Sequence, residues 1–326
     1  MQVSDRIGRA IKEKSAPGYV VGWIKNGGQK VLPFGNFTYD QNAPLVREDS
    51  IYDIASITKV FTSGILLKLI GKNQLSLGDN LVKFIPEFGN YPEKKSVTIK
   101  NLLEYKLNLA IPSMASLKNE RAEQIIKTIT EAQLREAPGT KYLYTNSTTM
   151  LMGLVAEKIS GKKLNILMEE YFFTPLKMSR TTFGPLEKFS KGEIVPTEMD
   201  DWRGGLVHGQ VHDESAYTLQ KTGVCLGAAG LFSTVPDLLK FAEMTLNADK
   251  YSGLGWEHNE SIRMGKYAPE IIGKSGFTGC MIMLNKTKNT SLVILSNSIY
   301  PKRPVDAESR NSVRRDVADI VFGGLS

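Results

Sequence analysis

Segments patterned as strands occur only near the two ends of this chain, and the long stretch between them is patterned for helix. Tyr19 to Lys25 and Lys30 to Phe37 flank Asn26-Gly27-Gly28, a hairpin signal, because Asn and Gly accept the left-handed backbone of a tight antiparallel turn. Ile271 to Gly276, Met281 to Leu284 and Ser291 to Leu295 form a second set, the last two joined by a Lys/Asn/Thr turn. Pairing the two sets gives an α/β (α+β) domain, an antiparallel sheet flanked by helices and built from both chain ends. The expected division is residues 1–54 plus 225–326 for that domain and 55–224 for a mostly helical insertion, with the active site between them.

Helix signals fill in the rest. Short helices are expected over residues 6–14 and over Val97 to Tyr105, the latter capped by Thr98. Glu120 to Glu136 is expected to run to Pro138-Gly139, Thr148 to Ile159 to Gly161, and Leu164 to Phe173 to Pro175. Ser233-Thr234 ahead of Pro236-Asp237 starts a helix that includes Leu238 to Leu246, and Asp306 to Phe322 closes the chain. Leu75 to Pro86 has turn composition, and residues 180–224 look irregular.

The chain has 326 residues, 41% of them apolar, enough for one large or two medium cores. Its formal charge is +7, but the basic runs Lys94-Lys95, Lys162-Lys163 and Arg314-Arg315 are short and scattered. They fit a solvated surface better than a nucleic-acid footprint. No apolar run reaches membrane-spanning length, and Met1 to Lys14 is charged and amphipathic, unlike a signal peptide. A cytoplasmic protein is expected as numbered, unless an export signal preceded this numbering. Cys225 and Cys280 have no metal or redox spacing and are expected as buried free thiols. Nothing in the sequence sets an oligomeric state.

The chemistry centres on residues 53–70. Ile57, Val60, Phe61, Gly64, Ile65, Leu67 and Leu69 make a helix too apolar to be exposed. Ser56 falls at its first turn and Lys59 one turn on. A hydroxyl beside unpaired helix N–H groups, with a buried amine as its base, is a nucleophile arrangement. About one Ser-x-x-Lys match is expected by chance in such a chain. A second, Ser160 to Lys163, falls where a helix ends at Gly161. An N-cap Ser56 with a solvated Lys59 is the bland alternative. Tyr144-Thr145-Asn146 opens the next apolar helix, and its alternative is an Asn cap with a packed Tyr. Lys274-Ser275-Gly276 lies on an expected strand, where Gly276 leaves room for a ligand backbone and Lys274 could hold an anion. Its alternative is an edge-strand lysine placed against aggregation.

Together these three motifs resemble those of the penicillin-recognising serine hydrolases, which include class C β-lactamases, D,D-peptidases and related esterases. Ile51 to Ala55, Pro138-Gly139, Gly227 to Ser233, Phe277-Thr278-Gly279 and Leu295-Ser296-Asn297 resemble flanking family segments. The resemblance covers nearly the whole chain and implies the β-lactamase/transpeptidase-like fold. It also implies a serine hydrolase working through an acyl-enzyme on an ester or amide, as an esterase or a D,D-carboxypeptidase/D-aminoacyl peptidase, without cofactor or metal. A β-lactamase proper and a slow-turnover penicillin-binding or sensor-like domain are the alternatives. The implied roles are nucleophile for Ser56 and shared proton transfer for Lys59 and Tyr144. Asn146 would orient the acyl group, and Lys274, Ser275 and Gly276 would contact substrate. The oxyanion hole would use the backbone N–H groups of Ser56 and Phe277.

There are departures from the family pattern. Ser275 replaces a common Thr, Leu102 to Leu109 (LLEYKLNL) replaces LLTHTSGL, with Asn108 able to stand in for Gly, and the deacylating Glu of class A β-lactamases has no counterpart. His208 and His212 beside Asp213 invite a zinc reading, but the surrounding glycines argue against a helix, and structural hydrogen bonds are expected instead. Gly-x-Ser-x-Gly does not occur, which disfavours an α/β-hydrolase.

Overall fold

A computed structural model describes residues 2–248 and 253–324. Helix α1 (Val3–Lys12) leads into β1 (Gly18–Lys25) and β2 (Gly28–Gly35), and Asn26 and Gly27 turn the hairpin at φ +52° and +76°. After β3 (Tyr52–Asp53) the helices α2 (Thr58–Gly71), α3 (Ile99–Leu103), α4 (Ala122–Glu131), α5 (Asn146–Ser160) and α6 (Leu164–Met168) follow. A small hairpin of β4 (Glu198–Asp200) and β5 (Gly205–Val207) precedes α7 (Glu214–Gln220). The chain then runs through β6 (Phe232–Ser233), α8 (Val235–Leu246), β7 (Glu257–His258) and α9 (Ser261–Met264). It closes with β8 (Ile272–Ser275), β9 (Met281–Asn285), β10 (Thr290–Ser296) and α10 (Glu308–Gly323).

The chain divides into two compact units. The first contains Met1–Ile57, Leu176–His212 and Leu231–Ser326; the second contains Thr58–Pro175 and Asp213–Gly230. In the first unit an antiparallel sheet has the order β2-β1-β10-β9-β8-β7, and β1 from the N-terminal segment pairs with β10 from the C-terminal one, Tyr19 opposite Ser296. The two ends therefore complete one sheet, as the strand distribution required. Tyr19, Val21 and Trp23 face a core that α1 and α10 fill with Val3, Ile7, Val313, Val317 and Val321. The opposite face carries α8, packed so closely on Gly22 that a Cβ there would lie 2.4 Å from Val235. β1 is thus buried on both faces, which explains its unbroken apolar run.

The second unit is built on α2, whose apolar residues are buried nearly all round. Phe61 meets Phe172 and Phe173 at ring-centroid distances of 5.7 and 6.0 Å. Thr98, Thr145 and Thr234 cap α3, α5 and α8, and Gly161 ends α5 at φ +69°. Three expectations need correction. Helix α4 stops at Glu131 because the following residues pair with 108–110: Ala110 N–H donates to Gln133 O and Arg135 N–H to Asn108 O. Residues 180–224 hold the β4–β5 hairpin and α7, so the stretch is more ordered than its composition suggested. The basic runs are not uniformly solvated, since Lys94 is fully buried and Arg314 is 3% exposed. No helix among the described residues is long and apolar enough to cross a membrane.

Candidate active site

Ser56 lies in a 3-10 turn, Ala55–Ile57, immediately before α2 rather than inside its first α-helical turn. Ala55 sits at φ +47°, a left-handed backbone costing an L-residue about 1–2 kcal/mol. Asp53, itself buried, holds it there: one carboxylate oxygen accepts the Ala55 N–H (2.8 Å) and the other the His212 N–H (2.7 Å). Backbone strain of this kind gathers at functional positions. Beside this turn runs the strand β8. A Cβ on Gly276 would lie 2.6 Å from Ile54 O, and Thr278 Oγ1 donates to Asp53 O at 2.8 Å. The first unit therefore brings the Ser56 segment against Lys274-Ser275-Gly276. The room left by Gly276 is taken by the carbonyl of Ile54.

Lys274 is not on an edge, because β8 is hydrogen-bonded to β7 and β9 on its two sides. Its side chain is fully buried, and Nζ meets Glu257 Oε1 at 3.1 Å. Burial pushes the ammonium down to about 8, with Glu257 opposing the shift. Ser275 Oγ reaches Glu257 Oε2 at 3.5 Å, and Arg263 Nη2 approaches the same oxygen at 3.5 Å. Glu257 was not singled out from the sequence; the available signal was the rule that a buried lysine needs a counter-ion. Phe277 is 41% exposed and stacks on the His212 ring (5.2 Å, 9°). The guanidinium groups of Arg310 and Arg303 lie over the Phe277 ring at 5.0 and 5.4 Å, and Arg303 is bidentate to Glu198.

In the second unit Lys59 is fully buried on the first turn of α2, not solvated as the bland reading had it. Its Nζ donates to Ala228 O at 2.6 Å and lies 5.1 Å from the ring centroid of Tyr144. One turn further Thr62 Oγ1 donates to Gly227 O at 2.8 Å. Gly227 has φ +74°, and a Cβ there would lie 2.1 Å from that hydroxyl, so the turn can approach α2 only as glycine. Tyr144 packs on Tyr105 at 5.4 Å, and it is Tyr105, at φ +52°, that turns left-handed in the departing segment 102–109. The cap of α5 is Thr145, so Asn146 is not the cap, and its Nδ2 donates to Asp213 Oδ2 at 3.2 Å. Asp213 Oδ1 accepts from Ser215 Oγ and from the Ala216 N–H, capping α7.

The histidine pair is spent on separate tasks. His208 Nε2 faces the carbonyl oxygens of Lys191 and Ile194, His212 donates its N–H to Asp53, and Asp213 is the α7 cap. Burial pushes the Cys280 thiol up to about 11 and that of the partly exposed Cys225 to about 12.

The β-lactamase family profile matches residues 3–315. The chain belongs to the β-lactamase family. This is a family of serine hydrolases that act through an acyl-enzyme. An Escherichia coli (strain K12) protein named as a candidate D-alanyl-D-alanine carboxypeptidase is 29% identical to this β-lactamase-family chain over 315 residues, 80% of this chain and 72% of the relative. A protein of the same name from Salmonella agona (strain SL483) is 28% identical over 318 residues, again 80% and 72%. Among solved structures, a class C β-lactamase superposes with a TM-score of 0.73 at 18% identity, covering 97% and 96% of the two chains. A D-alanine carboxypeptidase from Burkholderia cenocepacia gives 0.73 at 20%, covering 96% of each. An octameric penicillin-binding protein homologue from Pyrococcus abyssi gives 0.77 at 22%, covering 98% and 77%. At such identities the likeness is one of fold.

Proposed function

We propose that Ser56 is the nucleophile of this hydrolase and that it is acylated by an ester or amide, then released by water. The observation that carries this reading is the contact of the Ser56 segment with β8, through Gly276 against Ile54 O and Thr278 on Asp53 O. Such a contact supports an oxyanion hole formed by the backbone N–H groups of Ser56 and Phe277. Each donor in such a hole is worth about 3 kcal/mol to the transition state. Lys59 and Tyr144 share the proton: one takes it from Ser56 Oγ as the acyl bond forms and returns it to the leaving group. Asn146, anchored by Asp213, orients the acyl group.

Lys274 with Ser275, and the Arg310 guanidinium over Phe277, favour acyl donors that carry a carboxylate. The Lys274 charge is partly offset by Glu257, so its attraction for an anion is moderate. The similarity to the candidate D-alanyl-D-alanine carboxypeptidase of Escherichia coli and the fold shared with the Burkholderia cenocepacia D-alanine carboxypeptidase support a substrate ending in a D-amino acid. The deciding experiment compares wild type and Ser56→Ala on p-nitrophenyl esters, a D-Ala-D-Ala peptide and a chromogenic cephalosporin. Wild type is expected to hydrolyse at least the esters, and Ser56→Ala to lose that turnover while keeping its melting temperature. Equal turnover by both contradicts the assignment.

A further inference from the structure

Arg314 belongs to α10, yet its guanidinium reaches into the turn that follows β8. Nη2 donates to Gly276 O (2.6 Å) and Cys280 O (2.9 Å), Nε to Gly279 O (3.3 Å), and Nη1 to Asn311 Oδ1 (3.0 Å). All four acceptors are uncharged oxygens, and the side chain is 3% exposed. Burial pushes the guanidinium down to about 10, which leaves it charged at neutral pH. Burying a cation on carbonyls alone is costly, and three of its contacts fall on one five-residue turn. That turn is also closed on itself by Gly276 N–H to Cys280 O (2.7 Å) and Gly279 N–H to Gly276 O (3.2 Å).

The Gly276 carbonyl and the Phe277 N–H belong to one peptide unit. The bond is trans, so the two dipole ends point in opposite directions. Whatever fixes Gly276 O therefore fixes the direction of the Phe277 N–H. A cationic donor on the carbonyl also draws electron density from the amide and strengthens its N–H as a donor. We propose that Arg314 is a positioning residue for the oxyanion hole, acting through the Gly276–Phe277 peptide on the negative oxygen of the tetrahedral intermediate. This rests on the reading of Ser56 as nucleophile and Phe277 N–H as oxyanion donor.

The test uses the full chain with Arg314→Met and Arg314→Lys, the second serving where the first does not fold. Three quantities are measured: kcat and KM on a p-nitrophenyl ester, affinity for an aryl boronic acid that becomes tetrahedral on Ser56, and affinity for the trigonal product acid. Removing a direct donor costs about a hundredfold, so loss of its support is expected to lower kcat by about tenfold in Arg314→Met, with less loss in Arg314→Lys. KM and product affinity should stay within about twofold, while boronate affinity falls in step with kcat. Folded variants with wild-type kcat, or a parallel fall in boronate and product affinity, overturn the proposal and leave a purely structural role. A wild-type enzyme that neither hydrolyses the ester nor binds the boronate overturns the hydrolase reading itself, and this inference with it.

Discussion

Lys59 holds its Nζ 5.1 Å from the ring centroid of Tyr144 while donating a 2.6 Å hydrogen bond to Ala228 O. The amine is fully buried, and its rotamer is set by the glycine turn at 227–230 rather than by solvent. Two groups that share one proton, as proposed for Lys59 and Tyr144, act as a unit, so their losses do not multiply. Lys59→Met and Tyr144→Phe are each expected to lower kcat/KM by roughly a thousandfold, the range for removal of a general base. The double variant should fall little further. Steady-state kinetics on an activated ester checks this, and multiplicative losses would show two independent roles.

Asp213 joins two tasks, since Oδ1 caps α7 and Oδ2 accepts from Asn146. Asn caps a helix as well as Asp does, so Asp213→Asn should keep the contribution of the α7 cap within about 0.5 kcal/mol. Asn has a single side-chain oxygen, so once that oxygen caps α7 its amide faces the Asn146 Nδ2 donor, and the contact survives only as a neutral hydrogen bond with the Asn146 amide turned over, a loss of about 1–2 kcal/mol. The expected result is KM raised several-fold for acyl donors carrying an amide, with simple aryl acetates unaffected. Equal changes for both substrate types would argue against Asn146 as the acyl-orienting group.

The Lys274 ammonium, lowered to about 8 by burial, loses its charge in a range where most lysines keep theirs. Below that pH it is cationic and, in the proposed carboxylate-binding role, would attract the substrate; above it that attraction would fade. KM for a carboxylate-bearing substrate should therefore rise as pH passes through about 8, while KM for a neutral ester stays level. For stability the sign is opposite. A buried amine that sheds its proton more easily than the unfolded chain gains stability as pH rises from about 8 towards the ordinary lysine value. Glu257→Gln removes the counter-ion and should move both transitions to lower pH. Profiles of KM and of melting temperature against pH distinguish the two effects.

Lys94 is fully buried and donates to Thr130 O (2.6 Å), Ala132 O (2.9 Å) and Asn90 Oδ1 (2.9 Å), with its Nζ 4.0 Å from the Phe88 ring centroid. It ties the end of α4 to residues 86–96. Lys94→Met fills the space but takes the donor from the Thr130 and Ala132 carbonyls and from the Asn90 amide oxygen, at a cost of roughly 2–4 kcal/mol. Chemical denaturation should show this loss without a change in KM.

Much of the fold was legible because its signals are local. Asn26-Gly27 specified the hairpin, Thr98 and Thr234 the helix starts, and Gly161 a helix end, each by a conformation or hydrogen bond that few other residues supply. Pairing of β1 with β10 followed from the need of both strand sets for partners. What escaped depends on partners distant in sequence. Lys94 and Arg314 carry the same local signature as solvated lysines and arginines, and only their carbonyl acceptors reveal them as buried. Glu257 lies on a two-residue strand with no pattern of its own, and α4 was shortened by an extended partner at 108–110. In the candidate site the motifs were visible as side chains; Asp53 stood in a flanking family segment, Asp213 beside the histidine pair and Arg314 in a short basic run, but the backbone and amide groups they orient have no sequence signal.

Formation of the acyl-enzyme on Ser56, as proposed, is tested most directly by intact-protein mass spectrometry after reaction with a fluorophosphonate. The expected result is one adduct per chain, mapped by peptide digestion to Ser56 and abolished in Ser56→Ala. An adduct on another residue, or labelling of Ser56→Ala at the wild-type rate, would contradict it.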